Sequence, residues 1–520
     1  MAPRASSDHQ DLVLTLDAST TACKAIVWDR NGHPLSEGRA EIRLNSPAPL
    51  GFEQDAEEWW SAAASALRVA ASGVEADRIR GLCIANQRET FVVADRSGRP
   101  LRPAIVWMDE RCRDQVERVR QSSQAESLHR ITGKQPCTTP SLYKVLWLRV
   151  QEPELFAQHP LVLDVHAFLV LRLIGELRTS VPSADPTGLV DLEAGDWSEE
   201  ALALAGLSRG QLPEIAPAGA ALGFVQEEAA VACGLPAQLP VIAGAGDGQA
   251  AGLGAGILAP GRAYLNLGTA VVSGVFSETY QTSLAYRTLA AAGPSGFILE
   301  TDLKGGTFTL DWLVKRWGGS PSPKGEVLRD LERQARGLPP GAEGLVLIPY
   351  WNAVMNPYWD DDASGLVMGW RELHGPAHLY RAILEGIAFE QRLQTEAVEA
   401  AIGGQIEAFV VTGGGASSDL WCQIVADVTG RPVRRAGSQE ATSLGAAILA
   451  MWGTGMYPDL PTATHAMTTT GASFEPGPHR ARYERLYSEV YQGLYEAVRP
   501  RMVRLAAYVR EAGSQQETRC

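Results

Sequence analysis

Between Asp11 and Leu35 the chain alternates apolar runs with small polar turns: DLVLTLDA and ACKAIVWD flank Ser19–Thr21, and a second turn follows at Asn31-Gly32. That pattern predicts a hairpin or a run of antiparallel strands. RIRGLCIANQ and GRPLRPAIVWMD read as further strands, DAEEWWSAAASALRVAA and SLYKVLWLRVQEPELF as helices. The second half partly restarts the first. GRAYLNLGTAVVSGVFS is again strand, small hydroxyl turn, strand, and PSGFILETDLKGG and IEAFVVTGGGASSD are strand-to-loop transitions. Strands alternating with helices predict an α/β fold, and the repeated hairpin predicts a duplication with its seam near residues 255–262.

Composition narrows this picture without redirecting it. A chain of 520 residues with 45% hydrophobic and 20% charged residues is an ordinary folded protein with roughly two to four domains. Net charge is −14, which argues against a nucleic-acid partner or an anionic membrane surface. Any phosphate site must then be made locally, from backbone N–H groups and a metal. The seven cysteines lack CxxC spacing and read as reduced, buried thiols; with no apolar leader or spanning run, a cytoplasmic protein is expected.

One stretch poses a chemical question. AGAGDGQAAG (243–252) sets a single carboxylate, Asp247, among glycines and alanines. Either Asp247 is the N-cap of a helix after the strand LPVIAGAG, or the small residues clear space for a substrate beside a base. Three other small segments could cradle phosphate: DASTT (17–21), LGTA (267–270) and TGGG (412–415). The last opens into a helix, whose N-terminus favours anions. GxxxxGK[ST] is absent, which excludes a P-loop. HGPAH (374–378) does not suit a helical metal pair, because Gly-Pro intervenes between His374 and His378.

Taken in order, LDASTTACKAIVWD, IANQRETFVVADRSGRPLRPAIVWMDERC, AGAGDGQAAGLGAG, NLGTAVVSG, VVTGGGASSDLWCQIVADVTGRPV and EATSLGAAILAMWGTG resemble the FGGY carbohydrate kinase family across nearly the whole chain. The resemblance implies two ribonuclease-H-like (actin-like ATPase) domains, 1–257 on the sugar and phosphate side and 258–510 on the nucleotide side. It implies transfer of the γ-phosphate of ATP to a sugar or polyol hydroxyl in the cleft between them. By the same resemblance Asp247 is the catalytic base, and Arg88, Glu89, Trp107 and Asp247 bind the substrate. Thr20, Thr21, Lys24, Gly268 and Thr269 embrace the phosphates. Gly413, Gly414 and Gly415 approach the nucleotide, with Ser417 and Ser418 beside the adenosine. Asp17, mainly through water, and Asp247 hold Mg²⁺. Relatives are commonly homodimers, and the sequence does not show whether this chain self-associates.

NQRET and IVWMDERC are nearest to the glycerol kinase branch. Three positions depart from it: Thr139, Val272 and Gly248 stand where that branch carries tyrosine, phenylalanine and an amide. Lost volume favours a longer polyol or a ketose such as xylulose; the NQRE motif favours glycerol. An actin-like ATPase without a sugar substrate is a more remote alternative, disfavoured by the polyol set.

Overall fold

The computed structural model describes residues 11–317 and 324–517. Three antiparallel strands open the chain: β1 (Leu12–Ala18), β2 (Ala22–Trp28) and β3 (Pro34–Glu41). The helix α1 (Ala56–Ala71) starts at Asp55, whose side chain accepts from Glu57 N. Its Trp59, Ala62, Ala63, Ala66, Leu67 and Ala70 recur at helical spacing and are buried. Strand β4 (Ile79–Asn86) lies parallel to β1, and β5 (Ala221–Phe224) precedes β6 (Pro240–Gly246), which is parallel to β4. The sheet runs β5-β6-β4-β1-β2-β3.

After the helix α2 (Asp247–Gly254) comes a second sheet. Its strands are β7 (Arg262–Leu267), β8 (Val271–Ser277), β9 (Arg287–Ala290), β10 (Phe297–Leu303), β11 (Ala408–Thr412), β12 (Val433–Ala436) and β13 (Thr470–Phe474). They are ordered β9-β10-β8-β7-β11-β12-β13. The series β10-β8-β7-β11-β12 repeats β3-β2-β1-β4-β6 in order and sense, three antiparallel strands and then two parallel. This is the duplication that the two hairpins predict. Helices α3 (Pro376–Ile402) and α4 (Asp419–Thr429) cover the second sheet, and α5 (Ala441–Gly453) packs on the first. There Ser443 Oγ lies 2.6 Å from Thr15 Oγ1 and accepts from Trp28 Nε1 at 3.0 Å.

α2 and α5 meet backbone to backbone. A Cβ on Gly254 would lie 1.9 Å from Ala441 O, and one on Gly445 would lie 1.9 Å from Ala250 O. Part of the smallness around Asp247 therefore belongs to helix packing between the halves, not to substrate space.

Two expectations, one strand and one helix, need correction. GRPLRPAIVWMD supplies only the two-residue strand Ala104–Ile105, because prolines at 100 and 103 remove ladder donors. The helix read over 141–156 breaks at Glu152, before Pro153. His374 precedes α3, and His378 Nδ1 accepts from Gly375 N, a local turn rather than a metal pair. Among the described residues the cysteines are buried and free, no metal-binding cluster forms, and no helix is long and apolar enough to cross a membrane.

In α3, Glu390 is fully enclosed and accepts from Tyr491 (2.6 Å) and Tyr350 (2.8 Å). Burial pushes its carboxyl up to about 7, against the pull of those hydroxyls. A raised acid stabilises the fold most below its unfolded value, and that contribution is lost as pH rises to about 7. The span corresponds to about 3 kcal/mol. Urea unfolding of the parent and Glu390→Gln at pH 4.5 and 7.5 should show the parent losing about that much more; parallel losses would refute the assignment.

Candidate active site

Both sheets turn their hairpins toward one cleft. A cavity of about 280 Å³ there is walled by Thr20, Arg88, Glu89, Trp107, Thr139 and Asp247 from the first half. Asn266, Thr269, Val272, Arg287 and Asp302 face them from the second. All four residues expected to bind the substrate thus share one cavity with one threonine from each hairpin.

Asp247 is the first residue of α2, and the N-cap is Gly246. Its Oδ1 accepts from Gly248 N at 2.7 Å and meets Arg88 Nε at 3.0 Å. Neither contact uses Oδ2, and the side chain is 40% exposed. Arg88 Nη1 reaches Glu300 at 2.9 Å. Arg287 Nη2 lies 2.6 Å from Glu300, and Nη1 lies 2.9 Å from Glu89. Tyr264 donates to Glu300 at 2.6 Å. Each half therefore gives an arginine to a glutamate of the other. Burial alone would raise the Glu300 carboxyl, but Arg88 and Arg287 together bring it down to about 2. Glu89 is moved the other way, since burial raises it further than Arg287 and Arg88 lower it.

Sequence reading missed Glu300, Arg287, Tyr264 and Asp302. The ladder register explains how they arrive. Tyr264, Gly274, Glu300 and Arg287 form one row across four strands, and Asn266, Val272 and Asp302 form a row two residues along. Two acids at alternate positions of FILETDL were the available signal.

Several residues of the first-half cavity wall are held by neighbours. Glu89 adopts φ 58°, a conformation rare outside glycine that fixes its side chain toward Arg287. Its carbonyl accepts from Ser141 Oγ at 2.9 Å. Trp107 Nε1 donates to Thr20 Oγ1 at 3.0 Å, and Thr20 donates to Gln87 Oε1 at 3.1 Å. Both donors are thus committed, which leaves the indole ring and one hydroxyl lone pair for a ligand. Lys144 fixes the Thr139 wall by donating to the carbonyls of Thr138 and Thr139. A Cβ at Gly248 would lie 2.9 Å from Arg88 Cζ and from Glu300 Oε2, so that missing side chain makes room for the ion pair.

The phosphate candidates also converge. Gly413, at φ 79°, sits where a Cβ would lie 2.3 Å from Asn266 Oδ1, and one on Gly306 would lie 2.5 Å from Gly268 O. The TGGG loop and the turn at 305–307 therefore both press on the Gly268–Thr269 hairpin, with Gly414 and Gly415 following in a short 3₁₀ turn. Ser418 caps α4 by accepting from Trp421 N, and Ser417 Oγ donates to Gly414 O. Thr21 lies exposed in the first hairpin. Lys24 is committed to Glu440 (2.7 Å) and Glu37 (3.2 Å). Its ladder partner Asp17 has a buried Oδ1 without a partner among the described residues. Burial, then the charges of Asp247 and Glu440, push the Asp17 carboxyl up to about 7.

A two-lobed cleft with an acid at a helix start and hairpins from both lobes is the arrangement that the resemblance to sugar kinases of actin-like ATPase fold implies. The chain belongs to the FGGY family of carbohydrate kinases, whose N-terminal domain model matches residues 12–254 and C-terminal domain model residues 263–454. It is 29% identical to a xylulose kinase of Escherichia coli over 489 residues, 92% of this chain and 99% of that protein. It is 33% identical to a glycerol kinase of Thermococcus onnurineus over 452 residues, 84% of this chain and 88% of the other. The crystal structure of a xylulose kinase from Rhodospirillum rubrum superposes with a TM-score of 0.85 at 30% identity, covering 94% of this chain and 99% of that one. As a member of this family the chain is an enzyme that transfers phosphate from ATP to an alcohol group.

Proposed function

We propose that this enzyme phosphorylates a four- to six-carbon polyol or ketose, a ketopentose such as xylulose best of all, with Asp247 as general base. The supporting observation is the cavity wall: a polyol-gripping set of Arg88, Glu89, Trp107 and Asp247 faces the small side chains of Thr139 and Val272. The sugar sits at the seam between residues 1–257 and 258–510. Arg88 and Glu89 bracket vicinal hydroxyls by charge-assisted hydrogen bonds, and Trp107 offers its ring to the carbon chain. Asp247 Oδ2 takes the proton of the attacking hydroxyl. Thr20, Thr21, Lys24, Gly268 and Thr269 line the phosphate path, and Gly413–Gly415 and Ser418 the nucleotide side. Asp17 suits a cation, since its orphaned Oδ1 stands among acids. Asp17 and Asp247 would hold Mg²⁺, which neutralises phosphate charge when bound.

Glycerol is the second reading, favoured by the same Arg88–Glu89–Trp107 set. The relatives carry both names and so do not separate the two. Losing one or two methylenes of wall weakens discrimination by roughly 1–3 kcal/mol, and a loosely held substrate also drifts out of line. In a competition of glycerol, erythritol, xylulose, ribulose and arabitol at equal concentration, with products read by mass, xylulose phosphate should dominate. Dominant glycerol phosphate would overturn the longer-substrate reading.

A further inference from the structure

One carboxylate on the cavity wall has an oxygen that no neighbouring group satisfies. Asp302, on β10, lines the cavity from the second half, and its Oδ1 is buried with no hydrogen-bond partner among the described residues. The neighbouring cations are committed elsewhere: Arg287 to Glu89 and Glu300, Arg88 to Asp247 and Glu300, and Lys304 to Glu110 at 3.7 Å. Its backbone is pinned, since Asp302 N donates to Asn356 Oδ1 at 3.0 Å. Across the ladder stands Val272, too short to cover it, and beyond that Asn266. A buried acceptor without a donor is unfavourable, and a hydroxyl donor from a ligand removes the penalty.

Counting hydroxyls says what kind of ligand. A three-carbon polyol carries three, of which one attacks at Asp247 and two are bracketed by Arg88 and Glu89. A fourth exists only on a longer chain. We infer that Asp302 is a substrate-binding residue of the second half, accepting a hydrogen bond from a further hydroxyl of a four- to six-carbon polyol or ketose. This rests on the longer-substrate reading above and adds to it a residue that selects for length. It also links substrate length to apposition of the halves, because Asp302 and Asp247 approach the ligand from opposite sides of the cleft.

The experiment measures kcat/KM for xylulose, arabitol, erythritol and glycerol in the parent, Asp302→Ala and Asp302→Asn, with thermal unfolding to verify folding. The isosteric Asn variant serves if Ala does not fold. The ratio of kcat/KM for the preferred long substrate to that for glycerol should fall roughly 10- to 100-fold in the Ala variant, and less in Asn, the range of a hydrogen bond to a charged group. The fall should come mainly through KM for the sugar, with the Mg²⁺ concentration for half-maximal rate unmoved. A change in the ratio of less than about threefold in the folded variants overturns the inference. So does a shift in Mg²⁺ requirement exceeding the shift in sugar KM, which would assign Asp302 to the metal's surroundings. The two readings fail differently. A parent that prefers glycerol removes the longer-substrate reading and this inference with it. A parent that prefers a long substrate whose preference survives both substitutions removes this inference alone.

Discussion

Asp247→Asn should lower phosphoryl transfer by a factor of about 10²–10⁴ while nucleotide binding persists. The substitution is conservative in shape. An amide oxygen at Oδ1 still accepts from Gly248 N and Arg88, so the start of α2 and the Arg88 guanidinium stay in place. What changes is the other atom, where an amide nitrogen replaces Oδ2, the oxygen proposed as the base, and cannot take a proton from a hydroxyl. The helix has its N-cap in Gly246, so the variant loses no cap. Single-turnover transfer at saturating sugar, with nucleotide affinity measured separately by calorimetry, separates chemistry from binding. Near-normal turnover would leave Asp247 only a structural part at the helix start.

Local signals carried much of the fold to the page. Alternating runs around Ser19–Thr21 and Gly268–Thr269 gave both hairpins, because period-two patterning and small turns act within a few residues. The first-half cavity wall of Thr20, Arg88, Glu89, Trp107 and Asp247 was legible through its motifs. The second-half wall was not: Glu300 and Arg287 acquire their roles only when the sheets bring them against Arg88 and Glu89, about 200 positions away. The glycines around Asp247 misled in part for the same reason. Gly248 answers to Arg88 and Glu300, and Gly244 to Ile84, none of them near in sequence.

The reciprocal pairs Arg88–Glu300 and Arg287–Glu89 tie the two halves together beside the cavity. Nearby, Thr288 N donates to Gly133 O at 2.9 Å, and Ala290 N to Asp185 Oδ2 at 2.9 Å, both also between the halves. Motion of the lobes that preserves these contacts must open the cleft elsewhere, toward the hairpins and the TGGG loop. The cross-paired end of the cavity would then be the fulcrum, and its polar groups are already held by one another.

That arrangement makes Arg88 the residue whose loss should be felt in both stability and rate. Its side chain is 9% exposed and serves Asp247 and Glu300 at once. Arg88→Met keeps much of the volume and removes the charge. Glu300 keeps Arg287 and Tyr264 but loses one of two guanidiniums in a buried setting, which places the destabilisation near 3 kcal/mol, at the low end for breaking a buried pair. The pH sign follows from a depressed acid. Held near 2, Glu300 stabilises the fold above its unfolded value near 4.5, and that contribution is lost as pH falls toward 2. The gap between parent and variant in urea unfolding should therefore be widest at pH 7 and narrower at pH 3.5. Activity should fall at least about 100-fold in kcat/KM, since the variant loses a grip on the sugar and the group that aims Asp247. Arg88→Lys sharpens the test: a compact ammonium cannot fork to both carboxylates, so it should recover part of the stability and little of the rate. Equal stability of parent and Met variant at pH 7, or full activity in the Lys variant, would remove Arg88 from the centre of this site.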